Sequence, residues 1–179
     1  MAIKPLIDAS TIAQRVTELA HEITNDYLGK ELVIVPVLKG SYVFAADLVR
    51  YIELDLSVDF LGVRSYGDAQ DSSGVVQITT DLSHSIEDKH VILIEDIVDT
   101  GLTVSYLFKN LSTRRPASLK LASLLHKPSR TREAVKIDYL GFAVEDVFVV
   151  GYGLDHAQKF RNLPYLAVVT GELPPGASQ

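Results

Sequence analysis

Two short stretches without a polar side chain constrain this chain most: Leu32–Leu38, and Val91, Ile92, Leu93 and Ile94. A strand with one face in water alternates apolar and polar residues, so a stretch apolar throughout belongs between two covering layers. Each is followed by a short loop and then by apolar residues at helical spacing. After the first come Phe44, Ala45, Leu48 and Ile52; after the second come Val104, Leu107, Phe108 and Leu111. Strand, loop and helix, repeated in that order, imply crossover connections and a mainly parallel, twisted sheet flanked by helices, an α/β fold. Pro36 costs the first strand a ladder hydrogen bond near its end.

The remaining segments fit that plan. Residues 10–27 carry Ile12, Val16, Leu19, Ile23 and Tyr27 at spacings of three or four, which predicts a helix with Thr11 and Gln14 as its capping box and Gly29 as its stop. Residues 56–60 alternate and read as a strand with one covered face. Residues 64–74, holding Gly67, Asp68, Asp71, Ser72, Ser73 and Gly74, have no period and read as a long flexible loop, with a returning strand at 75–80. Further strands are expected at 119–125, 147–150 and 166–169, and the tail 171–179, with Pro174, Pro175 and Gly176, reads as flexible.

At roughly 100 to 200 residues per domain, the whole chain, 1–179, is expected to form a single domain. Its 47% apolar and 22% charged residues exclude a disordered chain, and the absence of Cys excludes a disulfide framework and suits a reducing, cytoplasmic setting. The apolar runs fall far short of the roughly 20 residues that span a bilayer, and the N-terminus lacks a signal-peptide core, so no membrane association is expected. Seventeen basic and 23 acidic residues give a net charge of −6, so nucleic acid is not an expected partner and an anionic ligand needs a local site. The glycosylation pattern at Asn110, Leu111 and Ser112 is read as chance.

In an open parallel sheet, ligands bind beyond the carboxyl ends of the strands. Three places qualify here. After 91–94 come Glu95 and Asp96, then Asp99, Thr100, Gly101, Leu102 and Thr103 opening a helix. Free N–H groups and hydroxyls at such a turn suit a phosphate, and the carboxylates suit sugar hydroxyls; an acidic helix cap with solvated neighbours is the plainer alternative. Lys39, Gly40 and Ser41 follow the first strand, where glycine lets backbone approach an anion and the ammonium supplies charge. Lys127 follows the strand ending at Leu124, Leu125 and His126. No P-loop, dinucleotide fingerprint, nucleophile elbow or H-E-x-x-H pair occurs, and His21, His84, His90, His126 and His156 lack metal-ligand spacing, so each reads as a surface or loop residue.

The run from Val91 to Thr103, with its hydrophobic strand, acidic pair and D-[ST]-G-x-T turn, resembles the phosphoribosyl-pyrophosphate (PRPP) binding motif of the type I phosphoribosyltransferases. Val37-Leu38-Lys39-Gly40-Ser41, Ser65-Tyr66-Gly67, Leu124-Leu125-His126-Lys127-Pro128, and Phe148-Val149-Val150-Gly151-Tyr152-Gly153-Leu154-Asp155 followed by Phe160-Arg161 are similar to the hypoxanthine-guanine branch of that family. The match runs in order over residues 10–170.

That resemblance implies the type I fold with a small hood subdomain. It also implies transfer of 5-phosphoribosyl from PRPP to N9 of a 6-oxopurine, in purine salvage. Glu95 and Asp96 would hold the ribose hydroxyls, and Asp99, Thr100, Gly101, Leu102 and Thr103 would wrap the 5-phosphate. Asp99 would also assist proton transfer at purine N7. Lys39 and Gly40, through a strained or cis peptide, would meet pyrophosphate with Arg161 adding charge. Lys127 would donate to the 6-oxo group, Phe148 would stack on the base, and the Val149 backbone would meet its edge. Asp155 would coordinate magnesium, with Glu95 and Asp96 nearby, and would also line the purine site. Ser65 and Tyr66 would lie on a mobile loop that excludes water. Leu102 stands where some members have Lys, which leaves the phosphate turn more reliant on backbone donors. A homodimer or homotetramer is implied as well. The rival readings are a PRPP-binding regulatory protein, for which no basic extension is visible, and a transferase for adenine, a pyrimidine or orotate, against which Lys127 and residues 148–155 speak.

Overall fold

The computed structural model describes residues 2–66 and 75–170. In chain order the elements are β1 (Ala2–Ile7), α1 (Ala9–Asp26), β2 (Leu32–Leu38), α2 (Tyr42–Tyr51), β3 (Leu56–Val58), β4 (Leu61–Tyr66), β5 (Val75–Thr80), β6 (His90–Val98), α3 (Leu102–Ser112), β7 (Ser118–His126), β8 (Tyr139–Ala143), β9 (Val149–Val150) and β10 (Leu166–Thr170). A short 3-10 turn, Pro128–Arg130, follows β7. The larger sheet runs β5-β4-β2-β6-β7-β8, with β3 also on β2, and every pairing in it is parallel except β4 with β5. A second, antiparallel sheet, β1-β10-β9, forms the small hood.

The two apolar strands are covered on both faces, as their composition requires. Ile34, Ile92 and Ile94 pack with Ile12, Val16, Leu19, Phe44 and Leu48 of α1 and α2. Val33, Val35, Val91 and Leu93 pack with Val104, Leu107 and Leu111 of α3. Among the described residues no helix is long and apolar enough to cross a membrane.

Several boundaries differ from expectation for identifiable reasons. The cap of α1 is Asp8, whose carboxylate accepts from Thr11 N–H at 2.8 Å and from Thr11 Oγ1 at 3.0 Å, so Thr11 serves as donor and the Thr11–Gln14 box does not form. The Ser10 hydroxyl, which also donates to Asp8 Oδ1, and then the two Thr11 bonds hold the Asp8 carboxyl down at about 2. Strand β6 continues four residues past Ile94, because β7 offers partners in register as far as Val98 opposite His126. The acidic pair therefore lies within the strand and not after it. Arg64, Ser65 and Tyr66 belong to β4, paired with Gln77, Val76 and Val75 of β5, although the lack of any period over 64–74 predicts a loop there. The rest of that loop, 67–74, and the tail 171–179 lie outside the described residues. Strands β1 and β8 had no periodic signal, and the expected strand at 147–150 shortens to β9.

A polar clasp fixes the end of α1 to the sheet. Asp26 accepts from the Tyr139 hydroxyl of β8 and from Lys120 Nζ of β7, the latter at 2.9 Å. The Tyr139 hydrogen bond, then the Lys120 one, draws the Asp26 pKa below its usual 3.8. A carboxyl depressed by folding adds stability at neutral pH that disappears as pH falls through its folded pKa. Tyr139→Phe should therefore lower the thermal midpoint at neutral pH by roughly 2–4 °C. The gap between variant and parent should shrink on acidification below pH 3.8, and a gap unchanged in acid would mean that the clasp does not stabilise the fold.

Candidate active site

The carboxyl ends of β2, β6 and β7 carry the residues that the motifs singled out. At the end of β6, Glu95 is buried and Asp96 partly so. Burial drives the Glu95 carboxyl well above its usual range, with the charge of Asp96 adding to the effect. Burial likewise pushes Asp96 up to about 6, against the Ile97 N–H that its Oδ1 accepts at 2.9 Å and the nearby positive charge of Arg161. Two carboxyls so placed favour a partner that brings hydroxyl donors or positive charge.

Gly40 lies against this pair, and a Cβ there would fall on the Asp96 carboxylate. The Leu38–Lys39 peptide, which leads into the Lys39 and Gly40 pair for which the resemblance implied a strained or cis peptide, is cis. Ser41, fully buried, donates its hydroxyl to Val37 O at 2.7 Å and so ties the loop back to β2. The other wall of the Gly40 loop is the turn at 151–155. A Cβ at Gly153 would strike the Gly40 carbonyl, so this approach requires glycine. Arg161 donates to Gly153 O at 2.7 Å and pairs with Asp155 Oδ1 at 2.6 Å, while Asp155 Oδ2 accepts from Gln158 N–H. Gly40, Asp96, Gly153, Asp155 and Arg161 thus form one connected group, which Lys39 adjoins through its peptide bond to Gly40.

The turn after β6 has a different anchor. Gly101, at φ 82°, holds the cap position of α3 with no side-chain cap, so Asp99 is not the acidic helix cap of the plainer reading. No acidic residue stands in the first turn of α3, which contains Leu102 and Thr103. Thr100 O accepts from Arg132 N–H and Glu133 N–H, both at 3.0 Å, and a Cβ on Gly101 would meet the Glu133 carbonyl. The segment after β7 therefore braces the turn. Arg130 Nε donates to Asp99 Oδ1 at 3.1 Å, and Arg130 also lies 3.8 Å from Asp146.

Lys127, 4% exposed, is bound through its backbone N–H to Val98 O and lies 3.8 Å from Asp146. Burial draws its ammonium pKa down, opposed by Asp99 and Asp146. Phe148 is half-buried on the hood, beside the buried Val149 of β9. Ser65 and Tyr66 end β4, where their backbone pairs with β5.

Three residues here carry more than the sequence revealed. His156 lies in a loop, as its sequence suggests, but is buried there and not on the surface: it sits edge-to-face on Phe148 at 5.3 Å, and its Nε2 has no hydrogen-bond partner among the described residues. Asp146 and Arg130 close a charge network with Asp99 and Lys127. Their only sequence signal is their position just before Phe148 and just after Lys127.

The family described as phosphoribosyl transferase domain matches residues 4–157. The hypoxanthine-guanine phosphoribosyltransferase of Bacillus subtilis strain 168 is 45% identical over 93% of this chain and 92% of that protein. The protein of the same name from Dictyostelium discoideum is 46% identical over 96% of this chain and 98% of its own length. A crystal structure of a Bacillus anthracis hypoxanthine-guanine phosphoribosyltransferase superposes with a TM-score of 0.90 at 42% identity, covering 93% of this chain and 98% of that one. An acidic pair at the end of a doubly covered strand, the glycine-centred turn behind it and likeness over nearly the whole length agree: the chain belongs to the phosphoribosyltransferase family, as an enzyme of its hypoxanthine-guanine branch.

Proposed function

We propose that this cleft transfers 5-phosphoribosyl from PRPP to N9 of hypoxanthine or guanine, releasing the nucleoside monophosphate and pyrophosphate. The observation that carries the reading is the continuity of β6 with α3: two enclosed carboxyls, a turn centred on Gly101, and a helix start free of acidic residues. Glu95 and Asp96 accept from the ribose hydroxyls. The N–H groups of the turn, with the hydroxyls of Thr100 and Thr103, hold the 5-phosphate, and because Leu102 brings no charge the backbone carries most of that contact. Lys39 and Gly40 face the pyrophosphate, with Arg161 behind them.

The donor set of Glu95, Asp96 and Asp155 fits magnesium, being all hard oxygen. Among the described residues no three acidic or His side chains converge tightly enough to hold an ion alone, which suits an ion that completes its shell with phosphate oxygens and water. Bound there, magnesium would offset the charge of the departing pyrophosphate. As the bond from the anomeric carbon to pyrophosphate oxygen breaks, purine N9 forms the new bond and the N7 proton passes to Asp99. Lys127 donates to the 6-oxo group, Phe148 stacks on the ring, and Val149 meets its edge through the backbone. Ser65 and Tyr66, at the end of β4, belong to the segment that closes over the reacting centre and keeps water from the cation. Assembly as a homodimer or homotetramer is part of the same reading, and the exposed side chains of Tyr42, Tyr51 and Phe60 offer apolar surface for it.

Asp99→Asn should cut kcat about 10-fold to 1,000-fold with the KM for PRPP little changed, since the amide keeps the turn's shape but takes no proton. Glu95→Gln and Asp96→Asn should instead raise the KM for PRPP. Full turnover in Asp99→Asn would remove it as the base.

Lys127→Met should sharply lower hypoxanthine turnover and narrow the gap between hypoxanthine and adenine. An ammonium can only donate, so a carbonyl satisfies it and an exocyclic amine does not. Steady-state rates with both bases check this, and unchanged selectivity would show that Lys127 does not read the 6-position.

A further inference from the structure

We propose that Asp146 is a specificity-determining positioning residue: its carboxylate, shared between Lys127 and Arg130, keeps the Lys127 ammonium charged and aimed at the 6-oxo group of the purine. The inference deepens the reading that Lys127 recognises that group and rests on it.

The Lys127 side chain is 5% exposed, and an ammonium removed from water needs negative charge nearby to remain protonated. Among the charged groups that act on it are three from different segments. Asp99 comes from the turn after β6, Asp146 from the loop between β8 and β9, and Arg130 from the turn that follows Lys127 itself. Arg130 works against the charge on Lys127, and the two carboxylates support it.

The two carboxylates differ in their freedom to do so. Asp99 Oδ1 is engaged by Arg130 Nε, and in the proposed reaction Asp99 takes up the N7 proton. Once protonated it no longer supports Lys127, at the stage when the 6-oxo contact matters. Asp146 also meets Arg130 but takes no proton in the proposed reaction, and it lies 3.8 Å from both Lys127 Nζ and a terminal nitrogen of Arg130. Holding both cations keeps Arg130 from displacing Lys127 toward the base. Asp146 also stands two residues before Phe148, so the group that aims the donor is fixed to the loop that presents the stacking ring. The plane of the base and the direction of its hydrogen bond are thereby set from one segment.

The test compares Asp146→Asn, Asp146→Glu and Lys127→Met in the full-length enzyme with magnesium and PRPP. In Asp146→Asn the alkaline limb of kcat/KM for hypoxanthine should move to lower pH than in the parent, with the ionisation of the base itself cancelling in the comparison. Above the parent's limb the KM for hypoxanthine should rise about threefold to tenfold, because a smaller fraction of Lys127 stays charged there. The KM for PRPP should hold, and Asp146→Glu should restore most of the loss. A direct readout is the NMR titration of Lys127 in lysine-labelled protein, assigned by the signal that Lys127→Met removes. It should titrate at lower pH in Asp146→Asn, and an unchanged titration would overturn the proposal. So would a rise in hypoxanthine KM that Asp146→Asn produces undiminished in the Lys127→Met background. If Lys127→Met leaves selectivity intact while Asp146→Asn still moves the titration, base recognition by Lys127 fails and the specificity role fails with it, but Asp146 is still shown to hold the charge.

Discussion

The enclosure of Glu95 and Asp96 at the end of β6 is the constraint on which the site depends. A strand made of Val91, Ile92, Leu93 and Ile94 carries them inward, and β7 keeps that strand paired until Val98. Two neighbouring carboxyls, one buried and one partly so, both rise in pKa, which disfavours their charged forms unless something compensates. A ligand that brings hydroxyl donors and a divalent cation relieves this more than bulk water can. The local cost of burying the pair is thus turned into affinity for one kind of ligand.

The same pair determines what can stand around it. Asp96 leaves no room for a side chain at residue 40, and the carbonyl of Gly40 leaves none at residue 153. Arg161 then closes the series by binding Gly153 O and Asp155. A second series runs from Thr100 through the backbone of Arg132 and Glu133, and from Asp99 through Arg130 to Asp146 and Lys127. In the proposed reading the first assembles the pyrophosphate side of the cleft, and the second ties the phosphate turn to the base side. Both converge on β6, so a shift of that strand would disturb both.

The doubly covered strands were legible because burial on two faces removes polar residues altogether, and β2 appears with the bounds its apolar run predicts. The chemistry-bearing runs were legible because their spacing is dictated by the turn they form. What escaped depends on partners distant in sequence. Strand β1 is held by β10, 159 to 168 residues away, so nothing local marks it. Residues 64–66 are polar and extended only because β5 pairs with them. Asp8 replaced Thr11 as the cap of α1 because both side chains can cap and only backbone geometry decides between them. Asp146 and His156 look like ordinary loop residues until the hood brings them to Lys127 and Phe148.

The central claim is that an acidic pair, a phosphate-holding turn and a buried ammonium together select PRPP and a 6-oxopurine. The most direct test is to incubate the protein with magnesium and PRPP and to offer hypoxanthine, guanine, xanthine and adenine separately, measuring nucleotide and pyrophosphate formed. Nucleotide from hypoxanthine or guanine in equal amount to pyrophosphate, with adenine far slower, is the predicted result. Nucleotide from adenine alone, or from none of the four, would contradict it.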